Sequence, residues 1–149
     1  RCGESRTPGA ESGSGKRTGR KVGTAPRPDS TDEAQHHGDT AHALFDLSIH
    51  ADQDPGRAVQ RFTTAIAGHS DEYARSRGIS NTKLASLVMA KGDPMQAVAV
   101  GHQALDDVGR LTSRRAADDL RELRSFAGRH RGLEQAAVLR RRITATLQA

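Results

Sequence analysis

Seven histidines are the first residues in this chain to invite a chemical reading, because neutral imidazole can hold a metal ion or move a proton near neutral pH. His36, His37 and His42 fall close together. A metal site built on a helix favours ligands four residues apart on one face. These three do not recur at that spacing among themselves, so they read as solvated polar residues. His69, His102 and His130 fall near expected helix faces or ends, where polar surface and a helix C-terminus tolerate imidazole. The adjacent carboxylates Asp106-Asp107 and Asp118-Asp119 point different ways around a helix and are not placed to work together as acid and base. Cys2 is the single cysteine, which excludes an internal disulfide and a cysteine-based zinc site and fits a reducing compartment. The stretch from Ala10 to Arg17 looks like a phosphate-binding loop, but Ala10 stands where Gly is needed and Arg17 where Ser or Thr would hold magnesium. No nucleophile with a plausible base emerges. Enzyme activity is therefore not expected, and neither is a cofactor or a metal.

Charge points more clearly to partners. The formal net charge is +5, but its distribution is uneven. Residues 1–38 hold seven Lys and Arg against five acids, residues 39–109 six against nine, and residues 110–149 ten against four. The basic excess is C-terminal, in Arg110, Arg114, Arg115, Arg121, Arg124, Arg140, Arg141 and Arg142. Such a patch can draw nucleic acid or an acidic partner. Few aromatics are interleaved to stack bases, so a solvated helix face, partly paired with the acidic middle, is the plainer reading.

The elements that carry these residues are helices. Only 34% of the chain is hydrophobic and 3% aromatic, with no Trp, so the core must come from Ala, Leu, Val and Ile. No segment alternates apolar with polar while rich in β-branched residues, as a half-buried strand would. Residues 1–38 are Gly, Ser, Pro, Thr and charge, with Val22 the only large aliphatic residue, and read as a disordered tail. No run is apolar enough for a membrane span or the core of a signal peptide, which places the chain in the cytoplasm with no membrane partner. It opens on Arg1 rather than Met, as a fragment or a processed product would.

From Asp39 onward helical periodicity sets in, and with it an internal repeat. Asp54-Pro55-Gly56-Arg57-Ala58-Val59, followed by Ala65-Ile66, recurs 39 residues later as Asp93-Pro94-Met95-Gln96-Ala97-Val98, followed by Ala104-Leu105. Asp can cap the free amides of a helix start, and Pro fits the first helical position, where its missing N–H costs nothing. Two helices are therefore expected to start at Asp54 and Asp93. Partner helices precede them, over about Thr40 to Ala51 and about Asp71 to Lys91. The second is closed by Gly92 in a left-handed conformation. A third, degenerate pair follows, with Leu120, Leu123 and Ala127 on one helix and Leu133, Ala136, Leu139, Ile143 and Leu147 on the other. Gly128 and Gly132 mark its turn.

These residues resemble the tetratricopeptide repeat. Leu84, Ala85 and Val88 match its large-small-large pattern, Gly92-Asp93 its turn, and Ala97 and Ala104 its small positions. In the first copy Phe45 and Ile49 match but Asp46 and Gln53 depart, while Phe62 fills an aromatic place that Gly101 leaves empty in the second. Leu87 to Pro94, Gly101 to Asp106 and Ser113 to Leu123 resemble the C-terminal regions of actinobacterial helix-turn-helix (XRE-type) transcriptional regulators, without the DNA-binding domain those proteins add. The resemblance implies an all-α chain: a short right-handed α-solenoid of about three tetratricopeptide-like hairpins over residues 39–149, behind the disordered tail.

In such stacks the first helices line a groove. The face beside the Leu84 stripe would present Thr82, Ser86 and Met89, with Leu47 and His50 in the first unit and Arg121 and Ser125 in the third at comparable places. The leading expectation is a protein-, peptide- or ligand-binding sensor region of a transcriptional regulator. The alternatives are a free-standing tetratricopeptide adaptor and, behind it, a basic nucleic-acid-binding module, with nucleic acid otherwise contacted only indirectly or weakly. Exposed apolar ends make a homodimer a further expectation.

Overall fold

The computed structural model describes residues 30–109 and 113–149, with side chains described from residue 32 onward. The tail expectation for residues 1–29 lies outside them, as does Arg110. Among the described residues the chain is all helical: α1 (Ser30–His50), α2 (Gly56–Gly68), α3 (Ala74–Lys91), α4 (Pro94–Val108), α5 (Arg114–Ala127) and α6 (Glu134–Gln148), with a 3₁₀ turn at Asp71–Tyr73 ahead of α3. None of these helices is long and apolar enough to cross a membrane.

The helix starts read from the two Asp-Pro copies are where the repeat puts them. Asp93 Oδ1 accepts from Met95 N at 2.9 Å, with Pro94 at the first helical position. Asp54 Oδ1 accepts from Gly56 N at 3.2 Å, the same contact one repeat earlier. Two expectations need correcting. The body was expected to start at Asp39, but α1 starts at Ser30, because a stripe of small residues continues the helix upstream. Ala34, Gly38 and Ala41 are buried one turn apart in line with Phe45, and an added Cβ on Gly68, at the end of α2, would sit 3.0 Å from that of Ala34. Small side chains let two helices approach closely without any large aliphatic residue. Gly92 does end α3, but with φ −128 rather than in the left-handed region. Its amide donates to Val88 O at 2.8 Å, and a Cβ there would press on Val88 at 3.2 Å. Among the described residues the left-handed positions are Gly109 (φ 56), after α4, and Asp52 (φ 52), between α1 and α2.

The first two pairs are antiparallel: Gly68 at the end of α2 meets Ala34 near the start of α1, and Arg77 at the start of α3 reaches Asp107 at the end of α4. In the third pair α5 packs on α6, with Arg124 donating to Thr144. The first helices of the pairs run parallel. Lys83 of α3 lies against Phe45 of α1 and Glu122 of α5, while the chain after α1 reaches the end of α3 through the Asp52–Lys91 ion pair. One apolar core runs through all three pairs, with Phe45, Phe62, Leu87, Met89, Leu120, Leu123, Leu139 and Ile143 fully buried. Each buried Leu or Phe contributes roughly 1.5–3 kcal/mol. In α4 the empty place left by Gly101 is taken by the next pair: a Cβ there would sit 2.9 Å from Leu139 Cδ2 and 3.5 Å from Leu123.

Candidate functional site

Helix α3 is the middle of the molecule and packs against α1, α2, α4 and α5. Ten of its residues are buried, from Gly78 to Met89, and over that span only Ile79 and Lys83 stay partly accessible. With Ser76 one turn earlier they form a strip that faces the start of α5 and the first half of α1. Between them lies a small hollow of about 100 Å³, lined by Gln35, Gly38, Asp39 and His42 of α1, His69 of the α2–α3 link, Ser76, Ile79 and Ser80 of α3, and Arg115 of α5. Elements of all three pairs contribute to it. A volume of that size takes about three waters or one small side chain.

The electrostatics of the hollow are mixed. Gln35 Nε2 donates to Asp39 Oδ1 at 3.0 Å, which orients the carboxylate. Arg115 is exposed and forms no ion pair among the described residues. His42 packs edge-on against Phe62, with ring centroids 5.4 Å apart. Burial pushes its pKa below the usual 6.5, and the Arg115 guanidinium pushes the same way, against the pull of Asp119 and Asp39. His69 is buried, its Nδ1 has no partner among the described residues, and burial followed by the Arg77 charge lowers its pKa as well. Near neutral pH the hollow therefore offers a guest two uncharged imidazoles, one guanidinium, one carboxylate and the apolar side chain of Ile79. Groups of both signs on packed helices suit recognition of a polar guest.

Beside the hollow, Lys83 joins the three first helices. Its Nζ lies 3.0 Å from Asp119 Oδ1, 2.6 Å from Glu122 Oε2 and 4.5 Å from the centroid of the Phe45 ring. Burial by itself would lower the pKa of Lys83. The two carboxylates outweigh it and hold the amine above its usual value, fully charged. Asp119 Oδ2 is buried without a partner among the described residues, so this carboxylate depends on Lys83 for its neutralisation.

None of the seven expected groove residues lines this hollow. Thr82, Ser86 and Met89 are interior residues of α3, each no more than 1% exposed, which corrects the expectation that they face solvent. The cause is the central place of α3, which packs against α1, α2, α4 and α5, and Gly78, one turn before Thr82, already abuts Val108 of α4. Leu47, His50, Arg121 and Ser125 are exposed, because α1 and α5 each lack a pair on one side. Arg121 bonds to Asp118 at 2.7 Å, and Ser125 borders a different, basic hollow.

The adjacent aspartates divide their work as their helical positions require. Asp107 accepts from Arg77 and Asn81 of α3, while Asp106 pairs with Arg142 of α6; Asp118 pairs with Arg121, and Asp119 with Lys83. The histidines are less solvated than expected. His37 and His42 are half-buried, His102 Nδ1 lies 3.1 Å from Arg142, and His130 Nε2 lies 2.9 Å from the carbonyl of Met89, tying the last turn to α3. His42, Asp46 and His50 do share a line on α1, yet among the described residues no three His, Cys, Asp or Glu side chains gather closely enough to hold a metal ion. No known family, curated protein or solved structure matches the chain.

Proposed function

We propose that the helices from α1 onward form a short right-handed solenoid of three tetratricopeptide-like hairpins, serving as the peptide-, protein- or ligand-binding sensor region of a transcriptional regulator. One observation carries the binding part of this reading: the first helices of all three pairs converge on one hollow that presents charged, neutral polar and apolar groups together. Two further features support the repeat. The first helices run parallel, and two ion pairs join residues 39 apart, matching the period of the Asp-Pro copies. The link to transcription rests on the resemblance of Leu87 to Pro94, Gly101 to Asp106 and Ser113 to Leu123 to helix-turn-helix regulators.

Selection of a displayed library of random extended peptides against the whole chain tests the binding role. Enriched peptides are expected to lose at least about tenfold in affinity, or 1.4 kcal/mol, on Ser76→Trp, whose indole would fill the hollow. Equal affinity for the wild type and this variant, with the variant's helical signal and cooperative melt intact, sinks the reading.

A further inference from the structure

The third helix pair carries a second surface of a different chemistry. Two open hollows meet at Arg140. One, about 650 Å³, is lined by Arg129, Arg131 and Arg140 with Ser125 and Gly128; the other, about 570 Å³, adds Arg124 and Arg141 beside Thr144 and Gln148. No carboxylate lines either of them. None of these five arginines pairs with a carboxylate among the described residues, whereas Arg77, Lys83, Lys91, Arg121 and Arg142 all do. Arg124 donates to the Thr144 hydroxyl at 3.2 Å, and Arg129 lies 4.7 Å over the Phe126 ring, so two of the five are held in place by neutral neighbours. Like charges gathered without counter-charges repel one another, and a polyanion relieves that repulsion.

The structure also sorts the basic residues of the C-terminal segment. Arg121 and Arg142 are engaged with acids, and Arg115 belongs to the hollow at α1 and α3. Arg129 and Arg131, which lie in the α5–α6 turn, complete the patch instead.

Three features select the partner. Guanidinium forks match phosphate oxygens two at a time. An acidic protein partner would want an apolar anchor, but no apolar side chain larger than Ala lines either hollow. A single strand would want exposed rings on which its bases stack, but the nearby Phe126 is 6% exposed beneath Arg129. We propose that this end of the molecule binds the phosphate backbone of duplex nucleic acid through Arg124, Arg129, Arg131, Arg140 and Arg141, without reading base sequence. The proposal stands on the arginine surface alone and is independent of the hollow between the first helices.

Fluorescence anisotropy of a labelled mixed-sequence DNA duplex, titrated with the full chain over a range of salt, tests it. Binding at low salt is expected to weaken with a log–log slope of about −0.9 for each phosphate neutralised. Arg131→Gln/Arg140→Gln/Arg141→Gln removes three exposed charges from the patch and is expected to flatten that slope by about 2.7 and weaken binding at low salt by tenfold or more. Arg57→Gln/Arg75→Gln/Arg114→Gln removes as many exposed charges elsewhere and is expected to leave affinity within about twofold. The single substitution Arg140→Glu, at the wall shared by both hollows, should weaken binding in the same direction as the patch triple. Circular dichroism melts confirm that each variant is folded. The proposal is overturned by no binding to duplex at low salt, by equal losses in the two triples, or by tighter binding to single-stranded DNA or a polyglutamate peptide than to duplex.

Discussion

Lys83 Nζ lies 2.6 Å from Glu122 Oε2, and these residues are 39 apart, so the lysine pairs with the side chain that occupies its own place one repeat later. Asp52 and Lys91, also 39 apart, do the same between the first and second units. Both contacts join neighbouring helix pairs, and a slip by one helical turn would separate them. The two pairs differ in setting. Lys83 is 14% exposed and also serves buried Asp119, whereas Asp52 stands in solvent at 89%.

Removing the Lys83 ammonium is therefore expected to be costly. Lys83→Met leaves Asp119 buried without its counter-charge, and its unfolding free energy in urea should fall by about 3 kcal/mol. Adding Asp119→Asn should recover more than half of that loss, because an amide carries no net charge to leave uncompensated. Asp52→Asn, at the exposed pair, should leave the urea midpoint where it is. If Lys83→Met and Asp52→Asn have the same effect, Lys83 is not the electrostatic link assigned to it.

Two glycines bring helices together, and their substitutions should separate by what surrounds them. A Cβ on Gly78 would lie 2.8 Å from Val108 Cγ2, 3.1 Å from its backbone N and 3.3 Å from the carbonyl carbon of Asp107, so the backbone of α4 would have to move. A Cβ on Gly101 would meet only the ends of Leu139 and Leu123. Overpacking costs about 1–3 kcal/mol, and replacing a helical Gly with Ala returns up to about 1 kcal/mol. Gly78→Ala should lose about 1–2 kcal/mol and Gly101→Ala close to none, as read from denaturant midpoints. A larger loss at Gly101 would contradict the backbone argument.

The placement of α3 gives a third test. Met89→Asp puts a charge in the core at a residue 1% exposed, and should abolish the cooperative melt. Leu47→Asp, at a residue 42% exposed, should keep it. If both variants melt alike, the central helix does not sit as described.

These contrasts show what the sequence carried and where it stopped. Helix starts were legible because an Asp-Pro cap is a local device, complete within a few residues, and its 39-residue recurrence fixed the pairs. The early start of α1 was not, because Ala34 and Gly38 look like tail composition and gain meaning only when α2 closes against them. The face of α3 could not be read either. Thr82 and Ser86 are polar by type, and only the packing of α3 among α1, α2, α4 and α5 buries them. Ser76, Ile79, Lys83 and Arg115 carried a usable signal, since Arg115 stands 39 residues after Ser76 and the first three share one helical line. Alignment by small residues selected the neighbouring face.

Acid should weaken the fold through its histidines before the carboxylates titrate. Burial holds the pKa values of His42, His69 and His102 below the usual 6.5, with Arg115, Arg77 and Arg142 respectively adding to the effect. In the unfolded chain all three take up a proton as pH falls through about 6.5, while in the folded chain they resist it. The unfolded state then binds more protons, and stability declines as pH drops below that point until the folded-state values are passed. The melting temperature should therefore fall between about pH 7.5 and pH 5.5. The double variant His42→Gln/His69→Gln should lose less than half as much over the same interval, because glutamine has no proton to gain. Thermal melts of both proteins across that range decide the matter: a wild-type melting temperature that stays level or rises on acidification would show that these imidazoles are not held neutral by the packing around them.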